Sequence, residues 1–185
     1  MTSIRVCLIT ILLTIVYLFA SVGISNLFLY QKANGSLIKS SNRIVGSRLL
    51  GQNFTKDIYF QGRPSLYNYK NNISGNSNYS YFSNDLSSQT LKNYHLFIEK
   101  DNNKPDLNII SESASGLDPH ITYLGALSQT SRIGSLRNLK RETITSIIEK
   151  NAMPSIFGLF GQKIVNVLEL NLELDEINVK TSRTR

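Results

Sequence analysis

The chain has 185 residues and a formal net charge of +7, with 20 Lys and Arg scattered among 13 Asp and Glu and no basic helix interleaved with aromatics. That balance fits a surface near acidic headgroups or acidic proteins, and no nucleic-acid partner is expected. The lone cysteine, Cys7, excludes zinc ribbons, Cys-pair redox motifs and disulfide scaffolds, and two histidines at no metal-ligand spacing leave a metal site to carboxylates alone.

Residues Val6 to Tyr30 carry no charged side chain, with Arg5 before them and Lys32 after. As a helix this run is about 37 Å long, enough to cross a hydrocarbon core of about 30 Å. It exceeds the roughly 7–15-residue apolar core of a signal peptide and lacks a clear A-x-A site, so an uncleaved anchor is expected. The division is then a short tail (1–5), a transmembrane anchor (6–30) and one soluble domain (31–185). Charge alone leaves the side of the domain open. Lys32, Lys39, Arg43 and Arg48 follow the span, but long domains cross membranes largely regardless of charge.

Lys32 to Ser41 reads as a polar exit from the membrane, and Arg43 to Phe54 as a strand with turns. Gly62 to Ser65 reads as a turn in which Pro64 biases Arg63 towards extended backbone. Asn68 to Asn84, dense in Asn, Ser and Tyr, predicts a long surface loop. A helix follows from Leu86 to about Lys100, capped by Asp85 or Ser87, with Leu91, Tyr94, Phe97 and Ile98 as its apolar face. Leu107 to Ile110 reads as a short strand and Ser111 to Asp118 as a loop. Pro119 then opens a helix to about Leu136 with Asp118 as cap.

Another helix covers Glu142 to Lys150, starting near Asn138, and Gly158 and Gly161 read as turns. From Ile164 to Leu174 apolar and polar residues alternate, which predicts a strand first. A helix with Val167, Leu170, Leu174 and Ile177 on one face fits almost as well. Helices and strands mix without regular βαβ alternation, so the expected class is α+β.

Known catalytic signatures are missing. GLFGQK at residues 158–163 has the wrong spacing for a phosphate-binding P-loop, and no G-x-S-x-G elbow occurs. Ser113, Ser115, Asp118 and His120 suggest a serine hydrolase, but a triad needs a buried acid orienting the histidine and an adjacent oxyanion hole. A cap and small-residue turn is the favoured reading. Four N-x-[ST] sequons, at Asn34, Asn53, Asn72 and Asn78, are expected by chance in a chain so rich in Asn and Ser.

Four segments in order carry a resemblance. They are ANGSL with GSRLLGQNF (33–37, 46–54), YFQGRPS (59–65), SASGLDPHI (113–121) and VNVLELNLELD (165–175). Behind one amino-terminal anchor they resemble KdpC, the small C subunit of the Kdp potassium-pumping ATPase. SGNSN (74–78), Pro105-Asp106-Leu107, Gln129, Arg132 and Arg137 extend the likeness over essentially the whole chain. Asn76 stands where the family usually has a second glycine.

The resemblance implies a non-catalytic accessory subunit of an ATP-driven, high-affinity potassium uptake complex. The implied partners are a channel-like potassium-binding subunit, a P-type ATPase subunit, a very small single-span subunit and the lipid bilayer. It implies a single-pass protein of the bacterial cell (inner) membrane, its N-terminus cytoplasmic and its domain extracytoplasmic. It also implies a catalytic chaperone that raises the pump's affinity for ATP. Catalytic residues, metal ligands and a cofactor of this chain's own are not expected; ATP and potassium are handled by the complex.

ATP lies across about 40 Å of bilayer from such a domain, so coupling through assembly is expected rather than direct contact. The candidate partner-contact or loop-shaping residues are Asn53, Phe54, Arg63, Pro64, Ser65, Ser115, Gly116 and Asp118. The alternative is a membrane-tethered extracytoplasmic binding or sensor module acting alone. A tethered hydrolase at Ser115 and His120 is less favoured.

Overall fold

The computed structural model describes residues 2–40, 42–154 and 161–183. Gly158, with the start of the GLFGQK segment, and Arg185 of the basic tail lie outside them. Two compact units divide at Ser47 and Arg48.

The first unit opens with helix α1, Thr2–Phe28. Among the described residues it is the one helix long and apolar enough to cross a membrane, and no part of it is buried. Several of its polar side chains bond back to the helix's own carbonyls. Thr10, Thr14 and Ser21 donate to the carbonyls four residues back, at 2.9, 2.9 and 2.7 Å, and Asn26 donates to Val22 O at 2.9 Å. On a lone helix in hydrocarbon, such internal bonds are the partners open to a polar group.

The helix starts before Val6 and breaks at Leu29, where φ is −127° and ψ 34°; a short turn α2, Tyr30–Ala33, follows. The expected polar exit and the start of the expected strand pair with each other. β1, Leu37–Ser40, and β2, Arg43–Ser47, form an antiparallel hairpin, with Asn42 left-handed (φ 64°) at its turn.

The second unit holds α3 (Asn84–Asp101), α4 (Leu107–Ile110), β3 (His120–Thr122), α5 (Tyr123–Ser128), α6 (Thr130–Arg137), α7 (Arg141–Asn151), β4 (Ile164–Asn166) and α8 (Val167–Arg183). β3 and β4 pair antiparallel, with Ile121 opposite Val165. Ile144, Ile147 and Ile148 of α7, and Val167, Leu170 and Leu174 of α8, recur at helical spacing and close the core over Phe60, Ile121 and Ile133. The class is α+β, as expected.

Local chemistry explains each departure from the sequence reading. Residues 167–183 are helix; the strand reading holds only for 164–166. Asn166 ends the strand, its Oδ1 accepting from the backbone N–H of Leu168 (3.1 Å) and Glu169 (3.3 Å) as an N-cap. Leu107–Ile110 is one helical turn rather than a strand, burying Ile109 and Ile110.

Asp118 caps no helix. Its Oδ1 accepts from His120 N at 3.0 Å, and the chain runs on as β3. The cap of the next helix is Thr122, whose hydroxyl accepts from Gly125 N at 2.9 Å. Ser83, not Asp85 or Ser87, caps α3. On α3 Tyr94 and Phe97 pack against the core, while Leu91 and Ile98 stay exposed. The turn expected at Gly62–Ser65 falls instead at residues 66–69; 61–65 are irregular. Residues 73–80 of the Asn- and Ser-rich loop lack regular structure, as expected.

Candidate functional site: a clasp, a backbone clamp and a cleft

Six of the eight candidate residues meet in one clasp. The Arg63 guanidinium donates to Glu112 O (2.7 Å), Ser111 O (3.3 Å) and Asp118 Oδ2 (3.3 Å). Pro64 O accepts from Ser113 N at 3.3 Å. Ser65 Oγ donates to Gly116 O at 2.7 Å and accepts from Tyr69 N at 3.0 Å. Ser115 O receives Gly75 N (2.9 Å) and Ser74 Oγ (3.1 Å), which pins the Asn-rich loop to the clasp.

Gly116 is left-handed (φ 68°), and a Cβ there would lie 2.7 Å from Gly75 O, so only glycine lets the two loops approach. At Gly62 a Cβ would meet the Tyr69 hydroxyl, the end of a side chain rather than backbone. That hydroxyl donates to Arg63 O at 2.6 Å.

The clasp carboxylates are held ionised. Burial pushes the Asp118 carboxyl up, but the His120 side chain and backbone N–H, with the Arg63 guanidinium, outweigh it and leave it below its ordinary value. Burial likewise opposes ionisation of Glu112, and the Ser77 hydroxyl and N–H with the Gln89 amide overcome it. Both values fall on folding. These groups therefore stabilise the domain above an unfolded value of about 4, and lose that contribution as pH falls through the folded values.

Ser115 Oγ accepts from Leu117 N at 3.1 Å, and His120 Nδ1 faces Asp118 Oδ1 at 3.5 Å. The Ser115 hydroxyl is thus held by the turn's own backbone, the role the turn reading gives it.

A second arrangement is larger and was only half legible. Residues 57–61 run with no strand partner, yet each carbonyl is met by a side chain. Arg132 donates to Asp57 O and to Tyr59 O (3.0 Å), and Arg137 to Ile58 O (2.7 Å). Asn171 brackets Phe60, accepting from its N–H (2.8 Å) and donating to its carbonyl (2.9 Å). Gln129 brackets Gln61 in the same way, at 2.8 and 3.0 Å. Two side-chain amides and two guanidiniums thus replace a neighbouring strand.

Behind the clamp Arg132 Nε meets Asp101 Oδ1 at 2.7 Å, both side chains almost wholly buried. Burial pushes the Asp101 carboxyl above its ordinary value, with Arg132 pulling the other way. Arg137 also reaches Asp175 at 2.9 Å and lies over the Tyr59 ring, 4.8 Å from its centroid.

The sequence points to Gln129, Arg132 and Arg137 only through the resemblance, and to Asp101, Asn166 and Asn171 by no motif. A signal for Asn171 exists: it lies on the same helical face as Val167, Leu170 and Leu174, and an amide there must find buried partners.

An open cleft of about 770 Å³ lies beside clasp and clamp. Asn53 and Phe54 line it together with Arg63, Pro64 and Ser65, opposite Phe97 and Leu96 of α3. Phe54 also packs on Tyr59, their rings 5.6 Å apart. Asn53 and Phe54 thus share a wall of this cleft with three clasp residues without joining the clasp bonds. Ser115, Gly116 and Asp118 lie outside its lining.

Comparison with known proteins matches these elements as a set. A family model described as "KdpC: K+-transporting ATPase, c chain" matches residues 1–176, from the start of the chain into α8. The chain is 38% identical over 170 residues to the potassium-transporting ATPase KdpC subunit of Caldanaerobacter subterraneus subsp. tengcongensis, covering 90% of this chain and 88% of that protein. It is 38% identical over 156 residues to the KdpC subunit of Gloeobacter violaceus (84% and 83% covered), and 37% over 172 to one from Bacillus cereus (90% and 89%). Continuous similarity through α1, the clasp and the clamp has one meaning: this chain belongs to the KdpC family, the c chain of the K+-transporting ATPase.

Proposed function

We propose that the chain works as a non-catalytic accessory subunit of an ATP-driven potassium uptake complex in a bacterial cell membrane. Residues 6–30 anchor it, residues 1–5 face the cytoplasm, and the domain stands outside. It joins a channel-like potassium-binding subunit, a P-type ATPase subunit and a very small single-span subunit. The observation that carries this reading is the family match running unbroken from the anchor through the domain.

The clasp and clamp support a structural role. Their charged groups bond to the domain's own backbone and carboxylates, which makes a stiff body suited to distinguishing partner conformations. Such a body raises ATP affinity without touching ATP. If it binds one conformation of the pump more tightly, nucleotide affinity shifts by linkage, and nucleotide shifts the subunit's affinity by the same factor.

The test is reciprocal. Apparent ATP affinity of the purified pump is measured with and without this chain, and affinity of the chain for the pump with and without nucleotide. Matching shifts of about 5- to 150-fold are expected; equal affinities with and without nucleotide refute the coupling. An Arg63→Ala arm separates shaping from contact. We assign Arg63 to shaping, so its loss weakens assembly only in step with a lower unfolding midpoint. Weaker assembly at an unchanged midpoint makes Arg63 a contact residue instead.

A further inference from the structure

The first 56 residues contain no Asp or Glu; Asp57 is the first. The hairpin β1–β2 falls within that stretch and belongs to the same compact unit as α1. It is tied to the turn after the span: Ser36 N donates to Gln31 O (2.7 Å), and Ser47 Oγ reaches Gly35 O (2.7 Å). A two-stranded hairpin is marginal alone in water. This one leaves Leu37 49% and Ile44 60% exposed, with Lys39 directly opposite Ile44 in the register. Among the described residues Lys32, Lys39 and Arg43 enter no ion pair, whereas the next cation, Arg48, meets Glu169 at 2.5 Å.

We propose that this hairpin is an anionic-lipid docking surface. Lys32, Lys39 and Arg43 hold phospholipid phosphates of the leaflet where α1 ends, and Leu37 and Ile44 rest at the headgroup–acyl boundary. The inference rests on α1 spanning the bilayer. Lipid is favoured as the occupant because the surface continues directly from that span, through exposed Tyr30, a residue type that settles at membrane interfaces. Cations beside aliphatic side chains, in a stretch of chain without an acid, match anionic headgroups over acyl chains.

The chain has no tryptophan, so Ile44→Trp gives a single reporter. The full chain is placed in nanodiscs of phosphatidylcholine alone or with added phosphatidylglycerol, with brominated acyl chains as quencher. In phosphatidylglycerol discs the emission is expected to shift blue and be quenched. The docked-to-free ratio should fall about fivefold for each of Lys39→Ser and Arg43→Ser. Docking should vanish at 1 M salt, where screening acts over about 3 Å.

Wet, unquenched emission in both lipids overturns the proposal. So does equal quenching in both that ignores the two substitutions, or emission that turns blue only when the pump's other subunits are added. A chain that fails to co-elute with the discs removes the anchor itself, and this surface with it.

Discussion

Arg132→Ala is expected to lower the domain's stability by about 3 to 5 kcal/mol, because it strips a buried carboxylate of its partner. Asp101 is 3% exposed, and its Oδ1 sits 2.7 Å from Arg132 Nε. The same guanidinium supplies the donors to Asp57 O and Tyr59 O and one to Gln129 Oε1. Deletion therefore leaves a buried charge and two backbone carbonyls without those donors. Total stabilities of single domains are about 5 to 15 kcal/mol, so a loss of this size removes a large share.

The measurement is urea unfolding of the full chain in detergent, followed by near-ultraviolet dichroism of its tyrosines. A double replacement, Arg132→Met with Asp101→Leu, should recover the part of the loss due to the stranded charge, because it removes that charge along with its partner, while the Asp57 and Tyr59 carbonyls stay without their donors. A loss below about 1 kcal/mol for Arg132→Ala is the size of a surface pair and contradicts the burial.

Asn171→Leu should cost about 2 to 6 kcal/mol, since both the N–H and the carbonyl of Phe60 then lose their partner, at about 1 to 3 kcal/mol each. The side chains are similar in volume, so packing contributes little to the difference. Asn171 is 2% exposed and Phe60 is fully buried, so water does not replace the amide. Asn171→Asp is the informative contrast. It keeps an acceptor for Phe60 N but sets a carboxylate against Phe60 O, and it should be as damaging as leucine at neutral pH. The same unfolding assay reads both. If aspartate behaves like wild type, the amide is not a two-sided bracket.

These two effects show where sequence legibility stops. The helix α1 stands out as an uncharged apolar run. Periodicity exposes the apolar face of α8, because burying one face repeats at a fixed spacing. It misread Ile164–Leu174, where a strand of three residues hands over to a helix at Asn166. There an amide cap decides the boundary, while the alternation of Leu168, Leu170, Leu172 and Leu174 mimics a strand. It misread Leu107–Ile110 because one turn of helix is too short to show a period.

The clasp was legible as a set of residues, its loop at 115–119 announced by serine, glycine, aspartate and proline, although the turn announced at 62–65 falls at 66–69. Which loop binds which was not, because Arg63 and Asp118 stand 55 positions apart. The clamp was the least legible part. Its bonds join side chains to backbone across 68 to 111 positions, and backbone carries no sequence signal.

The most direct measurement is recovery from membranes. The full chain, carrying an affinity tag, is produced with the channel-like, P-type ATPase and small single-span subunits, solubilised in mild detergent and captured. A second version lacks residues 2–28. Capture of both large multi-span proteins in stoichiometric amount by the full chain, with reduced capture by the truncated one, is the expected result. A mature chain found free of the membrane with its leading helix removed, or captured without either large subunit, contradicts it.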